Sequence, residues 1–120
     1  MLAVLFDKNV PYPLRHHLIG CEVKTAEEEG WDQILNGELI RCAEAAGYRV
    51  LLTCDQNLGY QQNMLHRQIS TIVLGSNIWP SVRAKVKEIV AAFERVSPGS
   101  FEFIEIAPPQ HRRRLGGSSK

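Results

Sequence analysis

No apolar run in the 120-residue chain approaches the ~20 residues that a membrane-spanning helix needs, which argues against a membrane protein. Excess charge is missing as well: 14 Lys and Arg stand against 13 Asp and Glu, a formal net charge of +1. That balance excludes a protein that is basic all over and coats nucleic acid. Cysteine is scarce. Cys21, Cys42 and Cys54 are odd in number, widely spaced and never arranged as CxxC. Neither a disulfide framework nor a zinc site is expected, and a reduced, cytoplasmic setting is. The opening MLAVLFDKN meets an acid and a base too early for a signal peptide. There is no internal repeat. With 44% hydrophobic and 22% charged residues, the composition is that of a globular domain rather than of disorder, collagen or a coiled coil. One domain of this length can bury a core without staples.

What is present is unevenly spread. Residues 107–120 carry Arg112, Arg113, Arg114 and Lys120 and no acid, so this stretch is +4. Residues 1–106 keep the other ten bases against all 13 acids, a net charge of −3. We expect a single domain over 1–106 and a flexible basic tail over 107–120, in part an appended remnant. The Arg112–Arg114 run can bind phosphates, although a solvated tail explains it too.

Along the chain, Leu2–Phe6 is a continuous apolar run ending at Asp7, as in a buried parallel strand. A helix is expected from about Pro11 to Ile19, with Asn9 as its cap and Gly20 as its stop. Cys21–Thr25 reads as a short second strand. Ala26–Leu35 reads as an acidic loop with a single helical turn near Trp31. Asn36 can cap a helix running to Ala46, and Gly47 closes it. Arg49–Thr53 is the third strand, Asn57–Arg67 a polar stretch with a turn or two of helix, and Ser70–Leu74 the fourth strand. From Pro80, the residues Val82, Val86, Ile89, Val90, Phe93 and Val96 recur at helical spacing, so one long helix is expected. Phe101–Glu105 alternates like a strand at a sheet edge.

Strands and helices alternate throughout, which predicts a three-layer, doubly wound α/β fold. Its sheet is mostly parallel, in the order 2-1-3-4 with a fifth edge strand, joined by right-handed crossovers. In that order strands 1 and 3 adjoin at the switch point, where ligands bind beyond the strand C-termini. Asp7 and Asp55 follow those two strands and so converge on one crevice. Two carboxylates brought together repel each other unless a proton or cation intervenes, and a hard ion such as Mg2+ or Mn2+ resolves the conflict. Such an ion also activates water and polarises a phosphoryl oxygen. Each Asp by itself serves equally as a cap for the turn that follows it.

Three segments carry a resemblance. They are FDKNVP at Phe6–Pro11, NGELIRCAEAAGYRVLLTCDQNLGYQQN at Asn36–Asn63, and STIVLGSNIWP at Ser70–Pro80. Together they resemble a compact PIN-like family of predicted bacterial nucleases, often classed as toxins of toxin–antitoxin pairs, over residues 2–96. The resemblance implies an endoribonuclease whose acidic cluster binds Mg2+ or Mn2+, with Asp7 and Asp55 matching its most characteristic acids. It also implies an RNA substrate, an antitoxin partner and a homodimer. A third acid is usual before the third strand, where this chain has Asn36 and then Glu38. Glu38 serves there as a ligand, or it only complements the helix dipole. The position after Asp7 is often acidic in the family, and here it is Lys8.

Asn9 can orient Asp7, bind a phosphate or act as a cap. Around Asp55, the residues Asn57, Tyr60, Gln61, Gln62 and Asn63 suit hydrogen bonding and stacking on single-stranded RNA, or simply a solvated loop. With Asn36 they complete the candidate substrate contacts. His16 and His17 read as surface residues, Trp31 and Trp79 as packing residues, and Cys54 as inert and buried. Two competing readings remain. One is a PIN-like module that lost its metal and acts through a protein or RNA partner, which Lys8 and Asn36 favour. The other is a receiver-like domain phosphorylated on Asp55, which ranks last because the expected paired acid and distal lysine are missing.

Overall fold

The computed structural model describes residues 1–56 and 66–107. Within them, five strands form one sheet in the order β2-β1-β3-β4-β5, and every neighbouring pair is parallel. The strands are β1 (Leu2–Phe6), β2 (Cys21–Thr25), β3 (Val50–Thr53), β4 (Ser70–Leu74) and β5 (Phe101–Ile104). The helices are α1 (Ala26–Glu29), α2 (Asn36–Ala45), α3 (Trp79–Arg83) and α4 (Val86–Glu94), with a 3-10 helix at Tyr12–His17. The expected order of strands is therefore present, as a parallel α/β sheet covered on both sides. No described helix is long and apolar enough to cross a membrane.

Register explains the two covered faces. Val4 pairs with Val50, Phe6 with Leu52 and Leu52 with Ile72, so alternate residues of successive strands share a side. On one face these residues, with Leu74 and Ile104, pack against Leu14, Leu18, Val82, Ile89, Ala92 and Phe93. On the other face Leu5, Leu51 and Ile69 pack against Leu39, Ile40 and Ala43 of α2 and against Tyr48. Trp31 and Trp79 lie half-buried against the second and first cluster respectively, so both pack as expected. All three cysteines are free thiols.

Local departures from the sequence reading have identifiable causes. The first helix is a six-residue 3-10 helix, bonded three residues back from Leu14 to Pro11 and from Leu18 to Arg15. The helix ends at Leu18, whose backbone (φ −99, ψ 70) has left the helical region. Asn9 does not cap it; the N-cap position is Pro11. The helical turn expected near Trp31 lies earlier, at α1. There the Thr25 hydroxyl accepts from the Glu28 amide while the Glu28 carboxylate accepts from the Thr25 amide. Asn36 is the first residue of α2 rather than its cap, which is Leu35. The long helix expected from Pro80 is broken at Lys85, whose backbone (φ −111, ψ 16) leaves the helical region between α3 and α4. The Asn57–Asn63 stretch lies outside the described residues.

The crossovers also differ from expectation. The β1–β2 and β4–β5 connections step in opposite directions across the sheet, yet the 3-10 helix, α3 and α4 all lie on one face. These two crossovers therefore have opposite hands, and uniform right-handedness does not hold. Coverage accounts for it: the short 3-10 helix leaves Ile72, Leu74 and Ile104 in need of an apolar lid, and α3 and α4 supply one.

At the end of β4, Gly75 donates its amide to the Ile104 carbonyl at 2.9 Å. A Cβ on Gly75 would stand 3.0 Å from the Ile106 nitrogen and 3.2 Å from the Ile104 oxygen. Because both obstacles are backbone, Gly75→Ala is expected to lower stability by about 1–3 kcal/mol through overpacking. Urea denaturation measures it, and an unchanged midpoint would show that β5 is not seated tightly against Gly75.

Candidate functional site

The ladder between β1 and β3 runs one residue past the strands, because the Asp7 amide donates to the Leu52 carbonyl at 2.9 Å. Asp7 is thereby fixed at the carboxyl edge of the sheet, beside the last residue of β3. Its carboxylate is buried, with 9% of the residue exposed. One oxygen, Oδ2, accepts the Thr53 hydroxyl at 2.7 Å, and Oδ1 accepts the Lys8 amide at 2.8 Å. The Thr53 hydroxyl oxygen also accepts the Asp55 amide at 3.0 Å. Since that amide already supplies a proton, the one hydroxyl proton of Thr53 is directed to Asp7. The buried Thr53 side chain thus links the Asp7 carboxylate to the backbone of Asp55.

Further bonds tie the same edge together. Asn9 Oδ1 accepts the Cys54 amide at 3.1 Å, so this side chain braces the start of the β3 loop. The Cys54 thiol donates to the Ser76 carbonyl at 3.4 Å, and Gln56 Nε2 donates to the Gly75 carbonyl at 3.2 Å. The ends of β1, β3 and β4 are in this way cross-linked. Burial pushes the Cys54 thiol up to about 12, with the charge of Asp7 acting in the same direction. At neutral pH the group is a thiol and not a nucleophile, as the inert reading expected.

A cleft of about 300 Å³ opens at this edge, lined by Asp7, Lys8, Val10, Tyr12, Thr25, Glu27 and Glu28. Its walls come from the ends of β1 and β2 and from the 3-10 helix, so it lies on the β2 side of Asp7. Half-buried Asp55, at the end of β3, is not part of that lining. Glu38 stands apart, exposed in the first turn of α2, where it pairs with Arg41 at 2.5 Å. Among the described residues, no group of three or more His, Cys, Asp or Glu side chains is placed to hold a metal ion. Asp7, Asn9 and the backbone of Asp55 are tied to one strand edge, and Glu38 is not joined to them by any hydrogen bond among the described residues. Asn36 begins α2. The other substrate candidates, Asn57, Tyr60 and Gln61, lie outside the described residues.

Three contributors escaped the sequence reading. Thr53 carried a signal in the Thr-x-Asp spacing, which suits a hydroxyl accepting the amide two residues on. Glu28 was marked by its Thr25-x-x-Glu28 capping box, which brings the acidic turn of α1 to the mouth of the cleft. Tyr12 gave no local signal, since only the turn at Pro11 aims it at the neighbouring strand end. Compared with known proteins, the chain matches no family model, no curated protein and no solved structure.

Removing the Thr53 hydroxyl takes one hydrogen bond from Asp7 Oδ2 and one from the Asp55 amide. Thr53→Val is expected to cost about 1–3 kcal/mol in urea unfolding, and Thr53→Ser to recover most of it. Equal stability of the valine and serine variants would show that the hydroxyl bridge contributes nothing. Cys54 is expected to resist iodoacetamide at pH 8 in the folded chain and to react on denaturation. Its folded pKa lies above the ordinary value of 9.0. The buried thiol's contribution to stability is therefore intact below about pH 9 and is lost as pH rises toward 12. Denaturation midpoints over that window, for wild type and Cys54→Ala, measure it; parallel curves would count against the shift.

Proposed function

We propose that this chain is a metal-dependent endoribonuclease of PIN-like type, using Mg2+ or Mn2+ held at Asp7 and Asp55. The observation that carries the reading is the placement of Asp7 and Asp55 at the carboxyl ends of adjacent strands β1 and β3, where the Thr53 hydroxyl bonds the Asp7 carboxylate and the Asp55 backbone amide. The donor set fits a hard cation, because Asp7, Asp55 and the cleft-lining Glu27 and Glu28 offer oxygen alone. It fits the binding mode of one or two carboxylates completed by waters, not an all-protein cage. A divalent ion there would polarise the scissile phosphate and lower the pKa of a bound water.

The chain's own groups do the positioning. Thr53 and the Lys8 amide hold the Asp7 carboxylate in one orientation, leaving each oxygen a second lone pair. The exposed Lys8 ammonium, at the cleft wall, supplies positive charge for a phosphate where the family usually has an acid. The Asn9 carbonyl oxygen is taken by Cys54, so its amide NH2 is the part left to meet substrate. Glu38 would join as a ligand by leaving Arg41, and opening an exposed pair of that kind costs only up to about 1 kcal/mol. A toxin role, an antitoxin partner and a homodimer enter this proposal through the family resemblance alone.

The second reading is a PIN-like module without metal, favoured by the lack of a three-ligand group among the described residues. Titration calorimetry with Mn2+ and a cleavage assay on single-stranded RNA decide between them. The nuclease reading expects heat of binding at micromolar to millimolar ion and cleavage abolished by EDTA. It also expects Asp7→Asn to lower the rate at least ~100-fold, the scale set by losing one group that stabilises charge in the transition state. No binding at millimolar Mn2+, or undiminished cleavage by Asp7→Asn, would sink it.

A further inference from the structure

Beside the acidic cleft, the surface changes character. Tyr12 lines the cleft yet is 46% exposed, at the start of the 3-10 helix. The Arg15 guanidinium lies over its ring, 4.3 Å from the centroid. At the other end of the same helix, the rings of His17 and Trp79 lie 5.8 Å apart, where α3 packs on it. Arg15, His16 and His17 are all exposed, as are Lys8 on the cleft wall and Arg83 in the last turn of α3. The Tyr12–Arg15 and His17–Trp79 pairs thus mark the two ends of the 3-10 helix, with Lys8 on the adjoining cleft wall, on a protein whose residues 1–106 are net acidic.

We infer that the surface formed by the 3-10 helix and α3 is a binding track for single-stranded RNA, with Tyr12 and Arg15 as the stacking platform nearest Asp7. The chemistry that selects this ligand is the combination of exposed π-faces with long-chain cations. Bases stack on aromatic rings and guanidinium planes, while Lys and Arg neutralise the phosphates between them. A double helix keeps its bases stacked inside and could use only the cations. Arg15 has two functions here: it holds the Tyr12 ring by a cation–π contact, and its outer plane extends the platform. Because Tyr12 borders the same cleft as Asp7, a base held on it sets which phosphate reaches the acids. This assignment rests on the ribonuclease reading for the identity of the ligand, but not for the location of the surface.

The test is fluorescence anisotropy with a labelled ten-nucleotide single-stranded RNA in EDTA, which prevents cutting, followed by the Mn2+-dependent cleavage assay on the same strand. Tyr12→Ala is expected to weaken binding about 5- to 100-fold, and Tyr12→Phe to bind as wild type. Tyr12→Leu keeps apolar bulk without a π-face and is expected to behave like Ala. Arg15→Gln is expected to flatten the dependence of log affinity on log salt by about 0.7 for each phosphate that Arg15 neutralises. Both side chains are exposed, and circular dichroism of each variant checks that the fold is kept. If wild type binds the strand without cutting it and Tyr12→Ala binds weakly, the surface stands and the nuclease reading falls. If wild type cuts while Tyr12→Ala and Arg15→Gln bind and cut equally well, the surface falls and the nuclease reading stands. Failure of wild type to bind at all also overturns the surface.

Discussion

The parallel pairing of β1 with β3 is the constraint on which the rest of the site depends. Phe6 opposite Leu52 sets the register, and the Asp7 amide bonded to the Leu52 carbonyl extends it by one residue. From that point the Thr53 hydroxyl has only one geometry open to it, giving its proton to Asp7 and taking that of the Asp55 amide. Asp7 lies 46 residues from Thr53 in the chain and Asp55 only two, so one distant and one local contact meet on a single oxygen. A slip of one residue between the strands would turn Thr53 to the opposite face and separate the acids.

Around that contact the structure divides its labour by face. One side of the sheet is sealed by the 3-10 helix together with α3 and α4, the other by α2. The carboxyl edge is left for polar groups, and there several bonds run between loops: Asn9 to Cys54, Cys54 to Ser76, Gln56 to Gly75. Such cross-bracing suits a site that must hold carboxylates in place before a charged ligand arrives. The same bracing and burial silence Cys54, which sits next to two acids yet keeps its proton.

Much of this was legible in the residues. Apolar runs ending in an acid identified β1 and β3, and Ser70–Leu74 identified β4, because a fully buried parallel strand has little choice but to be continuous and apolar. Placing Asp7 and Asp55 at the ends of adjacent strands required only the strand order. The first helix was harder to read: Pro11 and Pro13 suggested an α-helix start, and the segment forms a six-residue 3-10 helix. The capping box at Thr25 was present in the letters and outweighed by the acidic composition around it. Glu38, named as a third acid by the resemblance, pairs with Arg41 within one turn of α2, a contact that its i,i+3 spacing allows.

By itself the sequence determined the alternation of elements, the parallel sheet and the edge at which its acids emerge, since these follow from hydrophobic period and from the rule that ligands meet strand C-termini. Only the tertiary structure decided which residues meet there. Thr53 bonded to Asp7, Glu27 and Glu28 at the cleft and Tyr12 on the same cleft as Asp7 all depend on contacts between segments far apart in the chain. So do the opposite hands of the first and last crossovers, which follow from helices packed on one face. Local propensity carries no record of such choices; packing makes them.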